Sequence, residues 1–304
     1  MFLNQKILIT GASGFIGSHL LTRLCENRAD VYAVSRSVGV NLPQKNGPRW
    51  FPADLAETSA VRNILSEVKP DIIIHLASHV AGARDLGMVL PTFRSNLMST
   101  VNLLTFASEI GCQRIVLTGS MEEPESADPE AIPGSPYAVA KWAGSAYARM
   151  FHALYRLPVT TLRVFMVYGP AQKDLRKLIP YVILSLLRKE PPKLADGKRE
   201  IDWIYVDDVV EAFLAAARAP NIEGRTIDVG SGALVSIRTV VEHLVHMINP
   251  RIQPLFGSIP VRPLEQVRVA DLINSKLLLG WQPATSLETG LKKTVTWYER
   301  LISS

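Results

Sequence analysis

A short apolar run, Lys6-Ile7-Leu8-Ile9-Thr10, stops at Gly11-Ala12-Ser13-Gly14-Phe15-Ile16-Gly17, and His19, Leu20 and Leu24 then begin a helical period. Strand, glycine turn and helix in that order leave few folds open. Glycines are needed where the backbone reverses sharply and where a pyrophosphate must approach main-chain N–H groups at the positive end of a helix. The turn therefore predicts a nucleotide site at the edge of an α/β sheet, with Gly11, Ser13, Gly14, Phe15, Ile16 and Gly17 around it.

The chain continues as that unit demands. A second strand at 31–34 ends at Ser35-Arg36, where an acidic residue would grip a ribose 2'-hydroxyl and a guanidinium suits a 2'-phosphate instead. That reading favours NADP(H), with NAD(H) the other possibility. Residues 50–53 form a third strand, and Asp54-Leu55-Ala56-Glu57 opens a helix in capping-box style, with Asp54 and Leu55 expected near the adenine. Residues 72–76 are a continuous apolar run of the kind buried in a parallel sheet; His75 within it reads as a core histidine. Leu76, Ala77 and Ser78 follow at the strand's carboxyl end, where a cofactor would pass. The irregular stretch 80–91 carries Arg84 and borders the expected substrate space. A helix is expected over 96–110, beginning at Asn96, and a fifth strand over 114–118 leads into Gly119-Ser120-Met121-Glu122-Glu123-Pro124. Ser120 falls where a hydroxyl can meet a substrate carbonyl, and Glu122 is a candidate acid/base within an acidic loop that runs to Glu130.

Ser135-Pro136 then start a long helix as N-cap and first-turn residue, expected to run to about residue 155. Tyr137 and Lys141, four apart, share one face of it. An ammonium close to a phenol favours the phenolate, so the pair predicts a tyrosine poised to trade a proton with an alcohol or carbonyl near neutral pH.

Composition limits the partners. The net charge is +5, yet no basic run interleaved with aromatics appears, so nucleic acid is not an expected partner. The two cysteines, Cys25 and Cys112, lack metal-ligand spacing and read as thiols of a reducing compartment. No metal site, no leader pattern and no membrane-spanning run are expected, which points to the cytoplasm.

Taken together, strand-GASGFIG-helix, Asp54-Leu55, Ser120, Tyr137-Ala-Val-Ala-Lys141 and Arg163-Val-Phe-Met-Val-Tyr-Gly-Pro170 resemble the extended short-chain dehydrogenase/reductase family, in its nucleotide-sugar epimerase/dehydratase/reductase branch. The likeness continues through Asp202-Trp-Ile-Tyr-Val-Asp-Asp208, Asp228-Val-Gly-Ser-Gly232 and Leu279-Gly-Trp-Gln-Pro283. It implies a Rossmann-type doubly wound parallel sheet (1–169, with strands and helices at about 201–248 returning to it) and a smaller, interleaved C-terminal substrate lobe (170–200 and 249–304). It also implies hydride transfer at a sugar carbon, with Tyr137 as acid/base, Lys141 on the nicotinamide ribose, Ser120 orienting the reacting oxygen and Asn96 near the lysine. Lys177, Arg262 and Arg268 match or adjoin positions that bind the substrate's nucleotide or phosphates. Helices near 96–110 and 136–155 imply a homodimer.

Three departures narrow the reaction. Dehydratases of this branch have Asp then Glu after the hydroxyl residue, and here Met121 replaces the acid. Met166 stands where an Asn is usual, and Ile201 where an Arg is usual, with Arg199 two residues earlier. The leading expectation is an NADP(H)-dependent reductase of a keto group, at C4, of a nucleotide-activated sugar. An NAD(P)-dependent epimerase and a non-catalytic cofactor-sensing protein are the alternatives.

Overall fold

The structure is a computed structural model that describes residues 2, 5–36, 47–80, 82, 84–124 and 130–303. The first half runs β1 (Lys6–Thr10), α1 (Phe15–Glu26), β2 (Asp30–Ser35), β3 (Arg49–Pro52), α2 (Thr58–Val68) and β4 (Ile72–His75). A short helical segment, α3 (Val89–Thr92), runs through a π-helical turn (Phe93–Met98) into α4 (Ser99–Ile110). Next come β5 (Arg114–Ser120), α5 (Pro136–Tyr155), β6 (Val159–Val164) and β7 (Met166–Tyr168). The remainder comprises α6 (Leu178–Leu187), β8 (Lys193–Leu194), β9 (Glu200–Tyr205), α7 (Val206–Ala216), β10 (Thr226–Val229), β11 (Leu234–Ser236), α8 (Ile237–Ile248), β12 (Leu255–Phe256), α9 (Leu272–Leu279) and α10 (Leu287–Ser303).

Seven parallel strands form the main sheet in the order β10-β6-β5-β4-β1-β2-β3. Apolar residues at every position of a strand are explained by cover on both faces. Ile7, Ile9, Ile72, Ile74 and Val116 face one core, which includes residues of α1 and α7. Leu8, Ile73, Ile115 and Leu117 face the other, with residues of α2, α4 and α5. Strand order reverses between β1 and β4, and the crevice at that reversal is where such sheets take ligands. His75, at the end of β4, is buried and bonded on both ring nitrogens, to Thr10 Oγ1 at 2.7 Å and Thr100 Oγ1 at 3.0 Å. It is a structural histidine, as its sequence context implied.

The second half is a lobe around a three-stranded sheet, β11-β9-β7, packed under α6, α8 and α10. Only part of the 201–248 stretch returns to the main sheet. β10 pairs with β6 there, whereas β9 pairs with β7 and β11 in the lobe. α6 starts only at Leu178, and Asp174 ahead of it accepts hydrogen bonds from the Arg176 backbone and side chain.

Three aspartates from the motif stretches tie the halves together. Asp202, fully buried, accepts from the backbone N–H groups of Ser231 (2.5 Å), Gly232 (3.0 Å) and Ala270 (3.0 Å). Asp208 accepts from Ala284 and Thr285, and Asp228 pairs with Arg163 at 2.9 Å and accepts from Asp271. None of the described helices is long and apolar enough to cross a membrane.

Candidate active site

The glycine turn closes β1 onto the end of β4. Gly11 has φ +69°, and a side chain there would lie 2.6 Å from the Ala77 nitrogen. At Gly17 a Cβ would sit 2.2 Å from the Gly11 carbonyl, so α1 can pack this close to the turn only with glycine. Gly14 is the N-cap of α1 and supplies no side-chain cap, so the first-turn amides keep their donor capacity for an anion. Phe15, Ile16 and Leu76 turn their side chains into apolar clusters, which leaves their backbone for a ligand. Beside them the Ser78 hydroxyl is buried with no hydrogen-bond partner, and Ser13 and Ser35 share a 2.6 Å hydrogen bond. An uncapped helix start and an orphaned hydroxyl at the strand reversal fit a dinucleotide.

Arg36 is exposed in the bend after β2, and its charge helps hold the Asp54 carboxyl below the usual range, after the Ala56 N–H and Arg94. Asp54 closes a turn ahead of α2, which itself starts at Thr58 with Glu57 at the N-cap; the capping box expected over 54–57 is therefore one turn early. Leu55 is 6% exposed and belongs to the core with Val61 and Leu104. Its side chain packs in the core, which leaves its backbone, next to Asp54, as the part that could meet a cofactor.

Ser120 ends β5, and the N-cap Ser135 accepts from Ala138 N to start α5, bringing Tyr137 against it. The Tyr137 phenol lies beside the Ser120 side chain, close enough for that hydroxyl to favour the phenolate, and Ser120 Oγ accepts from Glu122 N at 3.2 Å. Lys141 Nζ donates to Thr118 O at 2.8 Å and lies 5.8 Å from the centre of the Tyr137 ring. Burial lowers the Lys141 pKa to about 8, against an opposing pull from Glu123. The phenol moves the other way from the sequence expectation. Burial raises its pKa, the Ser120 hydroxyl lowers it less, and the charges of Glu122 and Glu123 raise it further. The lysine points at a strand carbonyl, so its charge does not offset these effects.

Asn96 lies in the π turn and not in α4; its side chain accepts from His79 N (2.6 Å) and donates to His79 O (3.1 Å), fixing the chain just beyond Ser78. Thr100 donates to Asn96 O, which connects this clamp to His75.

Glu123 was hidden in the acidic loop. It is 2% exposed, accepts from Ser120 N at 2.7 Å, and burial raises its pKa despite Arg163 and Lys141 nearby. The signal for it was Arg163, a cation in an apolar strand that needs anions around it.

A cavity opens beside Glu122 and Ser135, lined further by Gly82, Arg84, Gly134, Arg199, Arg262, Leu264, Glu265 and Gln266. Arg199 pairs with Glu265 at 3.0 Å and donates to Gln266 O, and Arg84 donates to Pro263 O. The Nε atoms of Arg84 and Arg199 are buried without partners. The sequence pointed to Arg84 and Arg262 but assigned no contact to Arg199. Arg268 donates to Glu123 O at 3.4 Å instead of lining the cavity, and Lys177 serves as N-cap residue of α6, outside the lining. Residues 125–129 of the acidic loop lie outside the described residues.

Residues 7–230 match the family model described as "NAD dependent epimerase/dehydratase family". A UDP-glucose 4-epimerase of Mycolicibacterium smegmatis is 31% identical over 313 residues, covering 97% of this chain and 98% of that protein. The solved UDP-glucose 4-epimerase of Thermotoga maritima with UDP-glucose superposes with a TM-score of 0.88 at 26% identity, over 98% of this chain and 99% of that one. A UDP-glucuronic acid 4-epimerase of Bacillus cereus, in complex with UDP-glucuronic acid and NAD, gives 0.84 at 27% identity over 97% and 99%.

Proposed function

This chain belongs to the NAD dependent epimerase/dehydratase family, and from that premise we propose that it inverts C4 of a nucleotide-activated sugar by oxidising the alcohol and reducing the ketone from its other face. The observation that carries the reading is Tyr137, in the first turn of α5, set against Ser120 at the end of β5 with Lys141 beside its ring, next to an arginine-lined cavity. When bound, a nicotinamide dinucleotide supplies the hydride acceptor and, in its oxidised form, a positive charge that favours the phenolate.

The chain's own groups do the rest. Tyr137 takes the C4 hydroxyl proton and later returns it, and Ser120 holds the reacting oxygen. Lys141 anchors the nicotinamide ribose. Its proton, held less tightly than an ordinary lysine's, is within exchange range of working pH. Gly11, Ser13, Gly14 and Gly17, with the backbone of Phe15, Ile16, Leu76 and Ala77 and the Ser78 hydroxyl, receive the dinucleotide; Asp54 faces its adenine end. Arg84, Arg199 and Arg262 suit a diphosphate, since guanidinium forks match its oxygens. Exposed Val139, Trp142, Tyr147 and Leu154 on α5 support a homodimer through α4 and α5. Cys25 and Cys112 are unpaired thiols, in keeping with a reducing, cytoplasmic setting.

Reduction, the leading expectation from sequence, becomes the second reading because the Mycolicibacterium smegmatis and Thermotoga maritima relatives are 4-epimerases. One observation still favours it: Ser35 and exposed Arg36 close β2 where an NAD-selective site would carry an acid. UDP-glucose with purified protein and NAD⁺ or NADP⁺ separates the two. Epimerisation yields UDP-galactose with no net change at 340 nm. Stoichiometric NADPH consumption with a 4-ketosugar, and no interconversion of the C4 epimers, would replace the proposal with the reductase.

A further inference from the structure

We propose that Glu123 is a positioning residue of this site: its buried carboxylate fixes the strand end that carries Ser120 and serves as the counter-charge of Lys141, so that it sets the pH range in which Tyr137 and Lys141 work. The inference rests on the reading above for the reaction that it controls. Glu123 is buried just after β5, and its Oε1 accepts from Ser120 N at 2.7 Å. A Cβ at Gly119 would lie 2.6 Å from that same oxygen, so glycine at 119 is what admits the carboxylate to the strand end. Lys141 Nζ donates to Thr118 O at 2.8 Å. Ammonium and carboxylate therefore grip the two ends of one short stretch of strand, residues 118–120.

A carboxylate out of water needs a cation, and two face this one. Arg163, on β6, is already paired with Asp228 of β10 at 2.9 Å, whereas the Lys141 ammonium, on α5, is bonded to a neutral carbonyl. The charge of Glu123 is thus the one left to balance Lys141. Ser145, also buried on α5, lies beside the carboxyl, and Arg268 reaches the main chain, donating to Glu123 O at 3.4 Å. Burial raises the Glu123 pKa, and the Ser120 N–H, Ser145, Arg163 and Lys141 pull it back. In return Glu123 opposes the burial that lowers Lys141 to about 8, and it adds to the burial and the Glu122 charge that raise the Tyr137 phenol. Both effects have one sign. With the charge gone, ammonium and phenol each release their protons at lower pH.

The test removes the charge and keeps the shape. Protein labelled with carbon-13 at the lysine ε carbon is titrated by NMR, the Lys141 signal being the one absent from Lys141→Met. It should titrate at about 8 in wild type and about one pH unit lower in Glu123→Gln. The pH–rate profile of UDP-glucose conversion should move to lower pH by a similar amount, which a purely structural role does not produce. Glu123→Asp keeps the charge and shortens the reach to Ser120. It should keep the wild-type Lys141 titration while kcat falls about 10-fold. An unmoved Lys141 signal or rate profile in Glu123→Gln overturns the proposal, as does a wild-type kcat in Glu123→Asp, which decides alone if the Gln variant does not fold. The titration needs no substrate, so the two readings fail separately. An unmoved signal with UDP-glucose conversion intact removes the role of Glu123; a moved signal in a protein that does not convert UDP-glucose removes C4 inversion and leaves the counter-charge standing.

Discussion

Replacing Asp202 by alanine tests how the lobe holds the site together. The carboxylate is 0% exposed and accepts three backbone N–H bonds, from Ser231, Gly232 and Ala270. Each donor left buried without a partner costs about 1–3 kcal/mol, and water entering the space left by the side chain returns part of that. The net loss should be about 3–5 kcal/mol. A chain of 304 residues unfolds with an entropy near 0.6 kcal/mol per degree, so melting should fall by about 6 °C. Function should suffer too. Ala270 terminates the segment that carries Arg262 and Arg268, and its release should raise KM for the nucleotide sugar more than it lowers kcat. Calorimetry and steady-state kinetics on the same preparation measure both. A melting shift under about 1.5 °C would refute the argument that these three bonds pin the lobe to the main sheet.

Two other outcomes follow from the same geometry. His75 is buried and neutral, its pKa driven to about 3, first by burial and then by the Lys141 charge. The unfolded chain takes up a proton there below about 6.5 and the folded one does not, so stability is lost as pH falls from about 6.5 towards 3, by up to about 5 kcal/mol. His75→Gln should flatten that part of the stability-versus-pH curve in urea titrations; an unchanged acid limb would contradict it. Arg262→Ala should raise KM about 10- to 100-fold with kcat nearly unchanged, the loss of one charged contact to a diphosphate. A change confined to kcat would move Arg262 away from substrate binding.

The main sheet was legible because parallel strands covered on both faces must be apolar at their centres, and residues 7–9, 72–74 and 115–117 are. The glycine turn and the Ser135-Pro136 helix start were legible because each needs particular residue types at fixed positions. What escaped notice depends on packing between distant segments. Glu123 looks like its acidic neighbours until Arg163 and Lys141 are brought around it. β9 reads as a buried strand in any sheet, and only pairing with β7 and β11 assigns it to the lobe. Spacing placed Tyr137 and Lys141 on one face correctly, but could not reveal that the ammonium turns to Thr118 O and that burial governs the phenol. The aspartates of the lobe motifs, Asp202, Asp208 and Asp228, are recognisable in sequence, and in the fold they serve as ties between backbone segments.

The central claim is that Tyr137 moves the proton that accompanies hydride transfer at C4. Tyr137→Phe keeps the ring and removes only the hydroxyl that meets Ser120. Rapid-mixing measurement of UDP-glucose conversion by this variant should show the chemical step slowed about 10²- to 10⁴-fold, with NAD⁺ affinity within about twofold of wild type. Conversion at close to the wild-type rate by a variant that binds cofactor normally would contradict the account.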